Sequence, residues 1–223
     1  MMNIALSIAI AALISYLLGS CNFSIIVVRL LKNEDVRNFG SHNAGLTNTL
    51  RCFGEGCALL TLIGDLSKGV VAVTLSRCLC RLMEGGLSPD NDTHYIGYIA
   101  GFFAIIGHIF PIYYGFKGGK GVLVGVSTFI AVDPAIFFIL IAIFAVILAV
   151  SKYVSLSSII ASLCCPIATF LLHFFFFDDT LLHTLLYSIL SLIMASVVVY
   201  MHKTNIERLK NGTENRFSFK SKA

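Results

Sequence analysis

Charge is scarce in this chain of 223 residues: charged side chains make up 13% of it and hydrophobic ones 57%. A soluble domain carries about a quarter charged residues, so a soluble globular fold is excluded. The apolar runs also lack the polar alternation of a transmembrane strand, which excludes a membrane barrel. No basic n-region precedes Met1 to Leu18, and the apolar character continues past Gly19 to Val28, so a retained helix is expected and not a cleaved signal. The seven cysteines, Cys21, Cys52, Cys57, Cys78, Cys80, Cys164 and Cys165, show neither CxxC spacing nor a partnering histidine ladder. They read as small apolar fillers, and no metal site is expected. Nucleotide fingerprints, low-complexity segments and internal repeats are absent too. No cofactor and no nucleic-acid partner is expected, and nothing suggests a transporter built from two halves.

What the chain has instead is a series of apolar runs of about 18 to 25 residues, the length a helix needs to cross a hydrocarbon core. Candidate spans are residues 3 to 28, 57 to 76, 94 to 114, 122 to 150, 154 to 177 and 182 to 201. The fourth is too long, and Asp133 and Pro134 sit near its middle, where a proline breaks the helical ladder and a carboxylate is costly. Splitting it makes seven spans. Lysine and arginine bias supports the split, because cytoplasmic connections collect positive charge. With seven spans, one side holds Lys32, Arg37, Arg51, Lys117, Lys120, Lys152, Lys203, Arg208, Lys210, Arg216, Lys220 and Lys222, and the other holds Arg77 and Arg81. The outer connections then hold Asp90, Asp92, Asp133, Asp178 and Asp179. The expected fold is an all-α membrane protein of seven transmembrane helices, N-terminus outside and C-terminus in the cytoplasm. Residues 1–223 are expected to form a single integral-membrane domain.

The inner side carries the polar chemistry. The turn Gly115-Phe116-Lys117-Gly118-Gly119-Lys120-Gly121 opens into the apolar stretch starting at Val122. Glycines allow close approach of backbone N–H groups to an anion, a helix N-terminus adds partial positive charge, and two lysines add full charges. The spacing is not that of a Walker loop, since Tyr114 and Val122 stand where glycine and serine or threonine are needed. A flexible turn whose lysines only set topology has the same composition. In the connection 32 to 56, a helix over 43 to 51 would place Asn43, Thr47 and Arg51 on one face, with Ser41 near its start. An ordinary capped interfacial helix also accounts for that segment. After the last span, His202, Asn205 and Arg208 recur at i, i+3 and i+6 and share a helical face, either as a site or as a headgroup anchor.

Asp65 and Lys68 lie inside the second span, where ionisable residues mark function unless they neutralise one another. Their i, i+3 spacing allows that pairing, and Lys68 reaching toward an anionic ligand is the alternative. His173 to Asp178 fits an HxxxxD pattern associated with another family of glycerolipid acyltransferases. Its expected place at the outer end of the sixth span, away from every phosphate-binding candidate, makes it a coincidence of a phenylalanine-filled segment.

Taken in order, several segments resemble the bacterial acyl-phosphate:glycerol-3-phosphate acyltransferase family, small seven-span enzymes with three cytoplasmic motifs. The carriers are Tyr16-Leu17-Leu18-Gly19-Ser20, Asp35-Val36-Arg37 leading into Gly40-Ser41-His42-Asn43, and Asp65-Leu66-Ser67-Lys68-Gly69. Gly107-His108-Ile109-Phe110-Pro111 with the 116 to 121 loop follows, then Lys152 to Ile159, then His202 to Leu209 with Gly212-Thr213-Glu214. The resemblance implies transfer of a fatty acyl group from acyl phosphate to the 1-position of glycerol 3-phosphate, for phospholipid synthesis. It puts Ser41, Arg51, Lys120, His202 and Asn205 in catalytic roles and Gly40, Asn43, Thr47, Lys68, Gly118, Gly119, Gly121 and Ser158 in substrate binding. Glu214 looks like the structurally required acid of the third motif. The implied partners are glycerol 3-phosphate, acyl phosphate and membrane lipid, with a soluble acyl-phosphate-synthesising enzyme as a further candidate. The implied location is the bacterial inner membrane, with the site on its cytoplasmic face. Two residues depart from the family's usual Gly-Ser-Gly-Asn-x-Gly-Ala-Thr-Asn: His42 stands for glycine and Leu46 for alanine. A membrane carrier for organic phosphate is the rival reading, disfavoured because nearly all the polar candidates lie on one side and the acids of the outer connections repel phosphate.

Overall fold

Asn22 breaks the first apolar run, which does not form the continuous helix expected over 3 to 28. In the computed structural model, which describes residues 4–83 and 93–217, α1 (Ile4–Ser20) stops and α2 (Phe23–Lys32) restarts after Asn22. The Asn22 side-chain oxygen accepts the Ile25 N–H at 3.2 Å, a helix cap, and its amide donates to the Ala44 carbonyl at 3.2 Å. Asp90, Asp92, Lys220 and Lys222, which belong to the charge pattern, lie outside the described residues.

The chain divides into two compact units, Met1–Val132 and Asp133–Ala223. In the first, α2 is followed by a 3-10 turn (Val36–Asn38), α3 (Leu46–Met83), α4 (His94–Ile109), a second 3-10 turn (Ile112–Tyr114) and α5 (Val122–Val132). α3 kinks at Gly54, whose φ of 82° and ψ of −178° only glycine adopts readily. Close helix approach in this unit rests on missing side chains. A Cβ at Gly19 would collide with the Ala104 backbone, one at Gly107 with the Tyr16 carbonyl, and one at Gly69 with the Ser127 hydroxyl. Apolar tails solvate leucine as well as a partner helix does, so membrane helices associate through such small-residue contacts. Between α1 and α3, Ser15 and Ser76 join their hydroxyls at 3.0 Å.

The second unit holds α6 (Pro134–Ser151), α7 (Val154–Phe175), α8 (Leu181–Tyr200) and α9 (Lys203–Lys210). The long apolar run is interrupted where the sequence suggested: α5 ends at Val132, and Pro134 opens α6, a position at which its missing N–H breaks no helical bond. Near the other end of α7, buried His173 bonds Asp179 at 2.6 Å through Nδ1 and Asp133 at 3.3 Å through Nε2, its ring 4.9 Å from that of Tyr187. Both acids stand outside the HxxxxD spacing. His173 therefore ties the start of α6 to the turn after α7.

Six segments are long and apolar enough to cross a membrane: Ala5–Lys32, Leu46–Met83, His94–Tyr114, Pro134–Ser151, Val154–Phe175 and Leu181–Tyr200. α5, with 11 residues, is shorter. At 1.5 Å per residue it is roughly 16 Å long, about half a hydrocarbon core. The protein is thus an all-helical integral membrane protein with six such segments and one short apolar helix among the described residues.

Candidate active site

The connection after α2 is organised by one acid and one asparagine. Asp35 accepts the Arg37 backbone N–H at 3.0 Å, capping the first 3-10 turn, and forms a two-pronged pair with the Arg37 guanidinium at 2.9 and 2.7 Å. Arg29 adds a third contact at 2.7 Å. The Arg37 pairing holds the Asp35 carboxyl well below the usual carboxylate range, against an opposing push from burial, and Arg29 lowers it further. The remaining Arg37 nitrogen donates to the carbonyls of Tyr114 at 2.7 Å and Lys117 at 3.0 Å. Arg37 therefore straps the first polar connection to the glycine loop.

Buried Asn48 shapes the stretch that carries Ser41. Its side-chain oxygen accepts the Ser41 N–H at 2.9 Å, and its amide donates to the carbonyls of Val36 at 3.2 Å and Phe39 at 2.9 Å. Gly40 takes a left-handed φ of 57°, and a Cβ there would strike the Asn48 side chain. His42, which replaces a glycine of the resembled pattern, keeps the same left-handed φ of 57°. That conformation explains why glycine is suited to the position. The His42 ring offsets part of the strain by bonding the Arg37 carbonyl through Nδ1 at 2.9 Å. α3 begins at Leu46 and not at 43, so Asn43 precedes the helix, while Thr47 and Arg51 do share a face. Ser41 and Arg51 are exposed and Asn43 and Thr47 half-buried.

In the glycine loop the backbone does something other than expected. The N–H groups of Gly118 and Gly119 donate to the carbonyls of Ile109 and His108 at 3.0 and 3.1 Å, so both are engaged with the end of α4 and do not form an anion cradle. A Cβ at Gly118 would hit the His108 carbonyl, and one at Gly119 would hit the His108 ring and the Ala44 carbonyl. These glycines are needed for packing. Gly121, at a φ of 82°, turns the chain into α5, whose first N–H groups have no acceptor within the helix. Lys120, between Gly119 and Gly121 in the chain, is half-buried.

Lys68, expected at a substrate, is buried with its ammonium 2.9 Å from Asp65, 2.9 Å from His108 Nδ1, and 3.0 and 2.9 Å from the carbonyls of Gly19 and Cys21. The pairing alternative for Asp65 and Lys68 is the one formed, and it extends to His108.

The second unit gathers its polar residues on Glu214. Ser155 and Asn205 donate to one carboxylate oxygen at 2.8 and 2.7 Å, and Arg208 donates to the other at 2.7 Å. Burial raises the Glu214 pKa, but the bonds from Arg208, Asn205 and Ser155 together outweigh it and hold the carboxyl below its ordinary value. α8 ends at Tyr200, and His202 is the N-cap of α9, its carbonyl accepting the Ile206 N–H at 2.9 Å one turn before Asn205. Its Nδ1 donates to the Val198 carbonyl at 2.7 Å, which makes Nε2 the basic nitrogen of the neutral ring. Ser158 is buried, its hydroxyl bonded to the Val154 carbonyl at 2.9 Å.

Sequence reasoning named Ser41, Lys120, His202 and Asn205 but gave no role to Asn48, Arg37 or His108. Each left a faint signal: an asparagine at the start of a helix, an Asp-x-Arg pair beside a turn, and an ionisable ring ending an apolar span.

Polar loops rich in cationic and hydroxyl side chains, carried by apolar helices, define an integral-membrane protein suited to handling anionic groups. The Glycerol-3-phosphate acyltransferase family matches residues 9–212. The glycerol-3-phosphate acyltransferase of Chlorobaculum tepidum is 37% identical over 219 residues, covering 92% of this chain and 94% of its own. That of Clostridioides difficile is 37% identical over 214 residues, covering 96% and 97%. Among solved structures, PlsY (YgiH), an integral membrane glycerol 3-phosphate acyltransferase, in its glycerol 3-phosphate form superimposes with a TM-score of 0.76 at 30% identity, over 95% of this chain and 96% of that one. Its lysophosphatidic acid form gives 0.74 at 28% identity. The chain belongs to the glycerol-3-phosphate acyltransferase family and is an acyltransferase.

Proposed function

We propose that this protein transfers a fatty acyl group from acyl phosphate to the 1-position of glycerol 3-phosphate, releasing 1-acylglycerol 3-phosphate and inorganic phosphate. The observation that carries the reading is the family match over residues 9–212, with the polar residues of every resembled segment present in order. The glycerol 3-phosphate and lysophosphatidic acid forms of PlsY support the acceptor and the product. Acyl phosphate brings its own activated leaving group, so no covalent serine intermediate is required. The acceptor's 1-hydroxyl oxygen attacks the acyl carbonyl carbon, the bond from that carbon to the phosphate oxygen breaks, and the departing phosphate takes the hydroxyl proton. Lys120 and Arg51 hold phosphate groups and stabilise the charge that develops on the leaving oxygen. Ser41, with Gly40, Asn43 and Thr47, serves the first motif, while His202 and Asn205 contact the glycerol phosphate, with Ser158 nearby in sequence to the Glu214-bound Ser155. Gly118, Gly119 and Gly121 act by seating the loop.

Residues 1–223 work as one acyltransferase domain of a bacterial inner membrane, supplied by a soluble enzyme that makes acyl phosphate. In this reading α5 is a seventh, short span, the N-terminus is outside, and the site faces the cytoplasm. The break at Asp133 and Pro134 and the lysine and arginine bias support that topology.

The test is conversion of labelled glycerol 3-phosphate by the purified protein, offered acyl phosphate, acyl-CoA or acyl carrier protein. Product with acyl phosphate alone is expected. Equal product from acyl-CoA refutes the donor assignment, a 2-acyl product refutes the position, and an acyl group trapped on Ser41 refutes direct attack.

A further inference from the structure

The Asp65, Lys68 and His108 cluster lies under the glycine loop, and its hydrogen-bond logic runs one way. The Lys68 ammonium has donors only, and its three N–H groups face four acceptors: Asp65 Oδ1, the carbonyls of Gly19 and Cys21, and His108 Nδ1, all within 3.0 Å. His108 Nδ1 therefore carries no proton, and the ring proton of the neutral imidazole is on Nε2. That edge is the one against Gly119: a Cβ at 119 would overlap Nε2 and the Ala44 carbonyl. The same histidine receives the Gly119 N–H on its backbone carbonyl at 3.1 Å. The Ala44 carbonyl is in turn held by the Asn22 amide at 3.2 Å. His108 is 4% exposed and Asp65 1%, so the cluster is shielded from bulk water.

We infer that His108, locked in one tautomer by the buried Lys68–Asp65 pair, is the positioning residue that seats Gly119 and so fixes where Lys120 stands. Lys68 then acts through His108 and not by touching substrate. The inference rests on the proposed reading of Lys120 as a phosphate-holding residue, and it specifies that the cluster governs the donor and not the acceptor. Asparagine at 108 places an oxygen near the position of Nδ1 and keeps the bond to Lys68, whereas phenylalanine keeps the ring and loses both nitrogens. Because removing one member of a buried ion pair strands the other, the pair is tested with the double variant Asp65→Asn/Lys68→Met, which leaves no lone charge.

The experiment measures two things on full-length protein in detergent: KM for acyl phosphate and for glycerol 3-phosphate, and hydrogen exchange of the 118–121 amides. For His108→Phe and for the double variant, a rise of about tenfold in KM for acyl phosphate is expected, with KM for glycerol 3-phosphate within twofold and faster exchange in the loop. His108→Asn is expected to recover part of the donor KM. Equal changes in both KM values, or unchanged loop exchange in both variants, overturns the inference. Absence of any transfer by the unmodified protein instead refutes the functional reading, and the exchange measurement still decides whether His108 seats the loop.

Discussion

In each unit an acid of the polar connections gathers residues of the candidate site, Asp35 in the first and Glu214 in the second, and the two work differently. Asp35 in the first unit binds two arginines, one of which passes the restraint on to backbone carbonyls of the glycine loop. Glu214 in the second unit binds Ser155, Asn205 and Arg208 directly. In the first unit, then, the candidate side chains Ser41 and Lys120 stand on a backbone fixed by others. In the second, a candidate side chain is itself a partner of the organising acid. A disturbance of Asp35 reaches the site through one further layer, while a disturbance of Glu214 reaches Asn205 immediately.

The comparison can be tested in order of expected size. Lys120→Ala removes a charge from the proposed phosphate site, and transfer from acyl phosphate is expected to fall by about 10² to 10³-fold while the protein remains monodisperse on gel filtration. Glu214→Gln keeps the shape but leaves Arg208 facing a neutral amide, with an expected loss of about 1–3 kcal/mol in stability and roughly tenfold or more in kcat/KM for glycerol 3-phosphate. Arg37→Lys cannot reach an acid and two carbonyls at once, because it lacks the planar fork. Its expected effect is smaller, about threefold to tenfold on KM for the donor, read in the same steady-state assay. A larger loss from Arg37→Lys than from Glu214→Gln would mean that the indirect restraint through Asp35 matters more than the direct one from Glu214.

Acid should expose the two hubs together. Both carboxyls are held below their unfolded values, so their contribution to stability is complete above the ordinary carboxylate pKa and is lost as pH falls through the folded values. The unfolding temperature in detergent is expected to hold between about pH 7 and 5 and to decline below about pH 4. Asp35→Asn and Glu214→Gln should each flatten part of that decline. The smallest effect belongs to His42→Gly, which relieves a left-handed backbone but gives up the bond to the Arg37 carbonyl. The two nearly cancel, and stability within about 1 kcal/mol of the parent is expected in denaturation.

Much of the architecture was legible because a membrane makes simple demands. Apolar length marks a span, and Asp133 with Pro134 marks a break, so the ends of α5 and α6 followed from the residues themselves. Asn22 was missed because one capping asparagine in a long apolar run barely alters its hydropathy, although it ends a helix. The polar residues of the site were visible as types and spacings, but the function of their backbone was not. Gly118 and Gly119 suggested an anion cradle by composition, yet their N–H groups turned out to be bound to the end of α4.

What the sequence determined by itself was therefore the membrane class, the approximate helices and the family, since these depend on local hydropathy and on motifs that survive in linear order. What only the tertiary structure decided was which polar groups are already bonded to one another. Arg37 meets Tyr114 and Lys117, and Lys68 meets His108, across 77, 80 and 40 positions of chain. Hydrogen bonds form between neighbours in space, and separation along the chain carries no information about them until the helices have packed.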